Sequence, residues 1–205
     1  MQVGKILLIY DNDSYMLGEE TKTVSDPQLR HYMDWRFYIN GELHPATCKV
    51  CGRVIDDNYL NPKFKLRKKK LALSITYDGF YIASDHFKEY IEKKRFNKIT
   101  FRTLPSVNGF YQLAVNNVLQ FDISNPYMQL EDYCDSCQSY STIVSAAKVL
   151  KDLDKPLDRG LYRTDIKFGT SHEQAPLLIA DTQTAEEINR NFKNIDFMRL
   201  GSSIK

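Results

Sequence analysis

The sequence predicts an α+β fold: two related strand–helix–strand units with small, mostly antiparallel sheets, joined through a site of four cysteines. Two observations predict it. All four cysteines fall in two identical C-x-x-C steps, Cys48–Cys51 and Cys134–Cys137. The chain also resembles itself, because the stretch from Phe80 to Pro105 aligns with the stretch from Leu177 to Gly201. Ile82-Ala83 matches Ile179-Ala180, and Glu89 and Ile91 match Glu186 and Ile188. After a one-residue gap, Phe96, Ile99, Phe101 and Leu104 match Phe192, Ile195, Phe197 and Leu200.

Each copy reads as a short apolar strand, a cap residue, a helix and an alternating strand. Ser84 and Asp181 carry the short acceptor side chains that favour a helix N-cap. Phe87, Tyr90 and Ile91 recur at helical spacing in the first copy. In the second, Ala185, Ile188 and Phe192 form a thinner stripe with Thr184 at its edge. Ile99-Thr-Phe101-Arg and Ile195-Asp-Phe197-Met alternate apolar and polar, as a half-buried strand does. The competing reading is two convergent β-α-β fragments.

Other elements follow from local pattern. Gly4 to Tyr10 reads as a strand, and Trp35 to Ile39 as a second, turned by Asn40-Gly41. The polar stretch 11–30, with Asp26-Pro27, reads as a loop. Gly109 to Ser124 alternates around Asn116-Asn117, which predicts a hairpin or two short strands. Ser139 to Leu150 favours a strand at Thr142-Ile-Val over a helix at Ala146 to Lys151, and Leu161 to Gly169 reads as a strand. The expected organisation is a single compact domain over residues 1–205. It has two halves, about 40–125 and 126–205, and an N-terminal strand segment, 1–39.

At 42% hydrophobic and 26% charged, the chain can bury a core. A net charge of +2 provides no global field towards nucleic acid or anionic lipid. The opening apolar run, Ile6 to Tyr10, is closed by Asp11 and Asp13. It is too short for a signal peptide, and nothing approaches a membrane span. The expected location is the cytoplasm. Thiols stay reduced there, and paired C-x-x-C points to metal rather than disulfide.

Two cysteines around a tight turn can point at one ion while the turn's N–H groups bond the sulfurs, and Gly52 suits such a turn. Two knuckles make a closed site, Cys48, Cys51, Cys134 and Cys137, whose expected occupant is structural Zn²⁺. Gln138 stands where a second glycine would be expected. A redox pair is the alternative, but neither pair precedes a clear helix pattern. His44 is the one residue placed to replace a cysteine, and it reads as a solvent-facing loop histidine.

The run Lys63 to Lys70 alternates lysine with Phe64 and Leu66 before becoming wholly basic. It reads as an edge strand guarded by lysines, with a nucleic-acid patch as the sharper alternative. Asp56-Asp57 and Glu131-Asp132 read as solvated charge beside the knuckles. Tyr77, Tyr81, Tyr127, Tyr133 and Tyr140 include candidates for an aromatic binding face. The chain has no phosphate-cradling glycine loop, H-E-x-x-H, G-x-S-x-G or EF-hand loop. His31, His44, His86 and His172 lie in unlike contexts, so no catalytic residues are assigned.

Phe80-YIAS, Leu177-LIAD, Lys98-ITFRTL and Gly109-FYQLAVNNVLQFDI resemble segments of bacterial proteins from polymorphic toxin systems. With Cys48-x-x-Cys51-Gly52 and Cys134-x-x-Cys137, the chain is most similar to the double-CXXCG family, over roughly residues 44–200. Gln138 and the long N-terminal segment depart from that pattern. The resemblance implies a small, non-enzymatic cytoplasmic immunity protein whose partner is a cognate toxin. The alternative is a zinc-containing nucleic-acid-binding protein that uses residues 63–70. Oligomeric state stays open.

Overall fold

The computed structural model describes residues 2–19, 21–23, 35–145, 149–150 and 156–202. Among them are fifteen strands and two helices. In chain order, β1 (Gln2–Ile9), β2 (Thr21–Thr23), β3 (Trp35–Ile39) and β4 (Glu42–Leu43) precede the first knuckle. β5 (Leu73–Ile75), β6 (Tyr81–Ser84), α1 (Asp85–Lys94), β7 (Ile99–Thr103) and β8 (Phe110–Val115) follow it. Next come β9 (Val118–Leu119), β10 (Met128–Cys134), β11 (Ser139–Ser145), β12 (Val149–Leu150) and β13 (Leu161–Thr170). β14 (Ala175–Ala180), α2 (Thr182–Asn191) and β15 (Ile195–Ser202) close the chain.

The strands form three sheets. The largest runs β10-β11-β13-β14-β1-β15-β12, with β9 added on β13. The second runs β5-β6-β8-β7, and the third β2-β3-β4. In the second sheet β8 lies antiparallel between β6 and β7, the two strands that flank α1. In the largest sheet β1 lies antiparallel between β14 and β15, the two strands that flank α2. A preceding hairpin strand pairs outside each arrangement, β5 on β6 and β13 on β14. The N-terminal strand therefore sits at the centre of a sheet otherwise built from the last part of the chain.

Both helices start at the expected caps. The Ser84 hydroxyl accepts from the Phe87 N–H at 3.3 Å. Asp181 accepts from the N–H groups of Gln183 and Thr184 at 2.9 and 3.1 Å. The apolar stripes of α1 and α2 meet in one core. Phe87, Ile91, Ala185, Ile188 and Phe192 pack there with Leu7, Leu113 and Leu178 from the two sheets. The Phe87 and Phe192 rings lie 5.2 Å apart. The outer face of each sheet covers a further cluster. One gathers Phe37, Phe64, Phe80 and Ile82; the other Val3, Ile6, Phe121 and Leu200.

The Asn40-Gly41 turn takes the paired positive φ, 53° and 83°, that a two-residue hairpin requires. Gly109 to Ser124 resolves into β8 and β9. They do not pair with each other: β9 lies parallel to β13 in the other sheet. Asn117 helps set that crossing, donating to the carbonyls of Asn97 and Leu161 at 2.9 and 3.0 Å.

The basic run is not the expected edge strand; its described residues are loop. The alternation holds, with Phe64 and Leu66 buried, yet its backbone is tied elsewhere. The Arg67 N–H donates to the Ser14 hydroxyl and the Lys68 N–H to the Asn12 carbonyl. Ser139 to Ser145 is strand, as is Val149–Leu150. The other residues of the helical alternative, like His31 and Asp26-Pro27, lie outside the described residues. No helix among the described residues is long and apolar enough to cross a membrane.

Candidate metal centre

The two knuckles are turns of similar build on different elements. The first lies between β4 and β5 and is closed by a bridge between Thr47 and Val54. Within it the Cys48 N–H donates to the Arg53 carbonyl and the Gly52 N–H to the Cys48 carbonyl, both at 2.8 Å. The second is the turn of the β10–β11 hairpin, in which Cys134 faces Ser139. Gly52 has φ 76° and Gln138 has φ 53°. Gln138 therefore adopts the left-handed backbone at the position where glycine was expected, and the turn survives the substitution.

The fold brings all four cysteines together. Their sulfurs lie within 4.8 Å of one another, and no disulfide joins them. Cys48 Sγ stands 4.0 Å from Cys134 Sγ, and Cys51 Sγ stands 3.5 Å from Cys137 Sγ. Each contact spans 86 positions of sequence. Cys48 and Cys134 are buried, whereas Cys51 and Cys137 are half-buried.

The electrostatics separate the same pairs. Burial opposes ionisation of Cys48, but the N–H groups of Cys51 and Val50 outweigh it and bring the thiol down to about 6. Burial is likewise overcome at Cys134, where the N–H groups of Cys137 and Ser136 lower the thiol. At Cys51 burial wins and raises the thiol against the opposing pull of Arg53. Burial also raises Cys137, reinforced by its hydrogen bond with Cys51. Turn amides that favour a thiolate are the arrangement a metal knuckle needs, because the thiolate is the ligand.

Arg53 completes the site and was not singled out from the sequence. It is 3% exposed. Its Nε donates to Cys51 Sγ at 3.2 Å and its Nη2 to Cys137 Sγ at 3.3 Å. Its Nη1 donates to the Ser139 hydroxyl at 2.8 Å, and Nη2 also reaches the Ser139 carbonyl. One guanidinium thus ties the first knuckle to the second. Arg36 supports the first turn from outside, donating to the Val50 carbonyl at 2.9 Å. The available signal was position: Arg53 directly follows the glycine that turns the chain back on the sulfurs.

His44 is not a solvent-facing loop residue. Backbone pairing with Phe37 draws it into the core. There it is 1% exposed, its Nδ1 accepts from the Ala46 N–H at 3.1 Å, and its ring stands edge-on to Tyr59. Burial pushes its pKa down. It stands outside the sulfur cluster. Asp57 pairs with Lys167, Asp56 accepts from the Asn58 N–H, and Asp132 accepts from the Ser141 hydroxyl. Among the tyrosines, Tyr81 is tied to the Pro176 carbonyl and Tyr77 to Asp13, while Tyr127 and Tyr133 are exposed.

The sulfur spacing fits a metal. Thiolates bound tetrahedrally at about 2.3 Å from a zinc-sized ion lie about 3.8 Å apart, and the contacts of 4.0 and 3.5 Å straddle that value. No family model, curated protein or solved structure matches this chain.

Proposed function

We propose that the chain is a non-enzymatic, cytoplasmic immunity protein that binds and neutralises a cognate bacterial toxin, on a scaffold stapled by one structural zinc ion. The observation that supports this reading is the meeting of Cys48, Cys51, Cys134 and Cys137 in a single cluster. The residues that carry the resemblance to the double-CXXCG family are the ones the fold gathers.

Zinc is the metal that the donor set favours. Four thiolates form a soft, closed, tetrahedral site with no position left for water, which suits structure rather than catalysis. Four thiolates around a divalent ion leave two negative charges, and the Arg53 guanidinium offsets one of them. Arg53 thus serves the ion as well as the fold.

A duplication accounts for the wide sequence separation. The β6-α1-β7 and β14-α2-β15 segments have the same order, the same outer hairpin strand and an antiparallel strand inserted between their flanking strands. In this reading each half brings one knuckle to the shared ion. The first half supplies its own inserted strand, β8, and the second borrows β1. A scaffold fixed in this way loses little conformational entropy on docking.

The rival reading, nucleic-acid binding through residues 63–70, is weakened by what holds that run. Arg67 pairs with Glu19, and Lys68 pairs with Asp11 and Asp13 at 3.4 and 3.0 Å. The deciding experiment looks for an adjacent gene that encodes a secreted protein with a toxin-like C-terminus and co-expresses the chain with that domain. Restored growth and a stable complex on co-purification are the expected results. Folded, metal-loaded protein that neither associates nor protects would overturn the proposal, and steeply salt-dependent binding to DNA or RNA would favour the rival.

A further inference from the structure

β7 is an edge strand whose outer side stays open along its whole length. It pairs with β8 alone, in the register Ile99–Val115 to Thr103–Tyr111. The Asn116 N–H donates to the Lys98 carbonyl at 2.8 Å, which sets the phase of the ladder. Lys98, Thr100 and Arg102 therefore turn their backbone groups towards β8, and Ile99, Phe101 and Thr103 turn theirs outward. Among the described residues, nothing hydrogen-bonds those outward N–H and C=O groups.

The other edges are closed to an added strand. β10 is interrupted at Asp132, where φ is 49°. The outer side of β5 is taken by Tyr10 and Asn12, which bond both backbone groups of Ile75. β15 carries β12 on Gly201 and Ser202. β2, β4, β9 and β12 are two or three residues long. β7 has five residues, with neither proline nor bulge to blunt it.

Its side chains specify what can lie beside it. Alternation puts Ile99 and Phe101 on the face towards the helical core, where both are half-buried and packed against it. Thr100 and Arg102 lie on the opposite face, and exposed Lys98 stands just before the strand. The Arg102 guanidinium donates to the Asn58 carbonyl at 3.3 Å, and neither it nor Lys98 has a carboxylate partner among the described residues. The carboxylates nearest the strand are already matched. Asp85 accepts from the Tyr111 hydroxyl at 2.7 Å, Glu92 pairs with Lys88 at 3.1 Å, and Asp57 pairs with Lys167.

We infer that β7 docks an extended segment of a partner protein, in which acidic residues alternate with apolar ones. The outward backbone groups of Ile99, Phe101 and Thr103 supply the hydrogen bonds of strand addition. Apolar side chains of the segment cover Ile99 and Phe101, and its carboxylates lie beside Lys98 and Arg102. A second copy of this chain is a poor occupant, because β7 against β7 brings like charges together. The inference rests on the reading of the chain as a binding protein and gives that reading an edge and a partner chemistry.

The test uses nuclear magnetic resonance on the full, metal-loaded chain. The probe is an eight-residue peptide of alternating glutamate and valine with blocked termini. The controls are its lysine–valine counterpart and the acidic peptide N-methylated at alternate residues. With the acidic peptide, the amides of Ile99, Phe101 and Thr103 should exchange about tenfold more slowly or better; with either control they should not change. Thr103→Pro removes one outward N–H and leaves the ladder to β8 intact, so the chain should fold and the peptide should bind about tenfold more weakly. Lys98→Glu with Thr100→Glu alters exposed side chains only and should weaken the acidic peptide by at least as much. Protection elsewhere, no protection, equal binding of a control, or protection of these amides by self-association in sedimentation would each overturn the inference. The two proposals fail separately. Toxin protection that survives Thr103→Pro removes this edge but leaves the immunity reading. Peptide docking on β7 without toxin association does the reverse.

Discussion

Arg53 Nη2 donates to Cys137 Sγ at 3.3 Å, so a cation from the first knuckle holds a sulfur of the second. With its contact to Cys51 at 3.2 Å, the guanidinium stabilises the charge of the cluster and fixes the spacing of its two half-buried sulfurs. Outer partners of this kind are worth about 10–100-fold in metal affinity. Arg53→Met is expected to lose affinity in that range, read by competition with a chromophoric chelator. Arg53→Lys should fall between the two proteins, since an ammonium keeps the charge but lacks the fork that reaches both sulfurs and Ser139. Unchanged affinity in Arg53→Met would show that the arginine serves only the fold.

Removal of the metal should cost much of the stability. Structural zinc contributes about 10–16 kcal/mol of apparent binding energy in small peptides. The Phe87–Phe192 core is built without any of the four cysteines and supplies stability of its own, so a fraction of that figure is expected here. A loss of about 5 kcal/mol would lower the melting temperature by roughly 10–20 °C in a chain of this size. Chelation or Cys48→Ser should produce that shift, with hydrogen exchange rising first around residues 48–53 and 134–139. A melting curve indifferent to chelator would refute a metal staple.

The core between the helices gives an independent number. Phe192 is 4% exposed and packs on Phe87, Tyr90 and His86. Phe192→Ala should destabilise by about 3–5 kcal/mol, the usual cost of emptying a buried phenylalanine site. Denaturant titration of metal-loaded protein measures it. Metal affinity should hold, because the site and this core share no residue.

What was legible in the sequence was mostly local. Ser84 and Asp181 announce their helices by cap chemistry, and Asn40-Gly41 announces its hairpin. The cysteine spacing announces two turns whose meeting needed only the assumption of a shared ion. The misreadings are non-local. β1 shows a strand in its own pattern, but nothing in it says that the strand enters between β14 and β15. His44 looks polar and loop-borne until pairing with Phe37 carries it inside. Phe64 and Leu66 alternate with lysines as a strand would, yet the Phe64 N–H bonds the Asn61 carbonyl, and the N–H groups of Arg67 and Lys68 bond Ser14 and Asn12 rather than a neighbouring strand. Arg53 reads as one cation among 28 until the fold sets it against two sulfurs.

Buried His44 and half-buried His172 give stability a pH dependence of definite sign. Burial lowers the pKa of both His44 and His172 from the ordinary 6.5. The unfolded chain therefore binds protons more readily than the folded one as pH falls below that value. The stabilisation is complete above about pH 6.5 and is lost progressively on acidification. Denaturant midpoints at a series of pH values, with metal held in excess, should fall below pH 6.5. His44→Gln should flatten the slope, and an unaltered slope in that variant would remove His44 from the account.

The two left-handed knuckle positions make opposite predictions. Gly52 has φ 76°, and a Cβ placed there would stand 3.2 Å from Arg36 Cγ. Gly52→Ala therefore adds backbone strain and displaces the side chain that holds the Val50 carbonyl, and should destabilise by about 1–2 kcal/mol. Gln138 already bears the left-handed cost, at φ 53°. Gln138→Gly removes a strain of about 1–2 kcal/mol and returns about 0.5–1 kcal/mol of it as greater freedom of the unfolded chain. The net effect should be neutral to stabilising by up to about 1.5 kcal/mol, with metal affinity kept. Parallel denaturant titrations of the two variants decide the matter. If Gln138→Gly were as damaging as Gly52→Ala, the glutamine side chain would have to hold the second knuckle through a contact of its own.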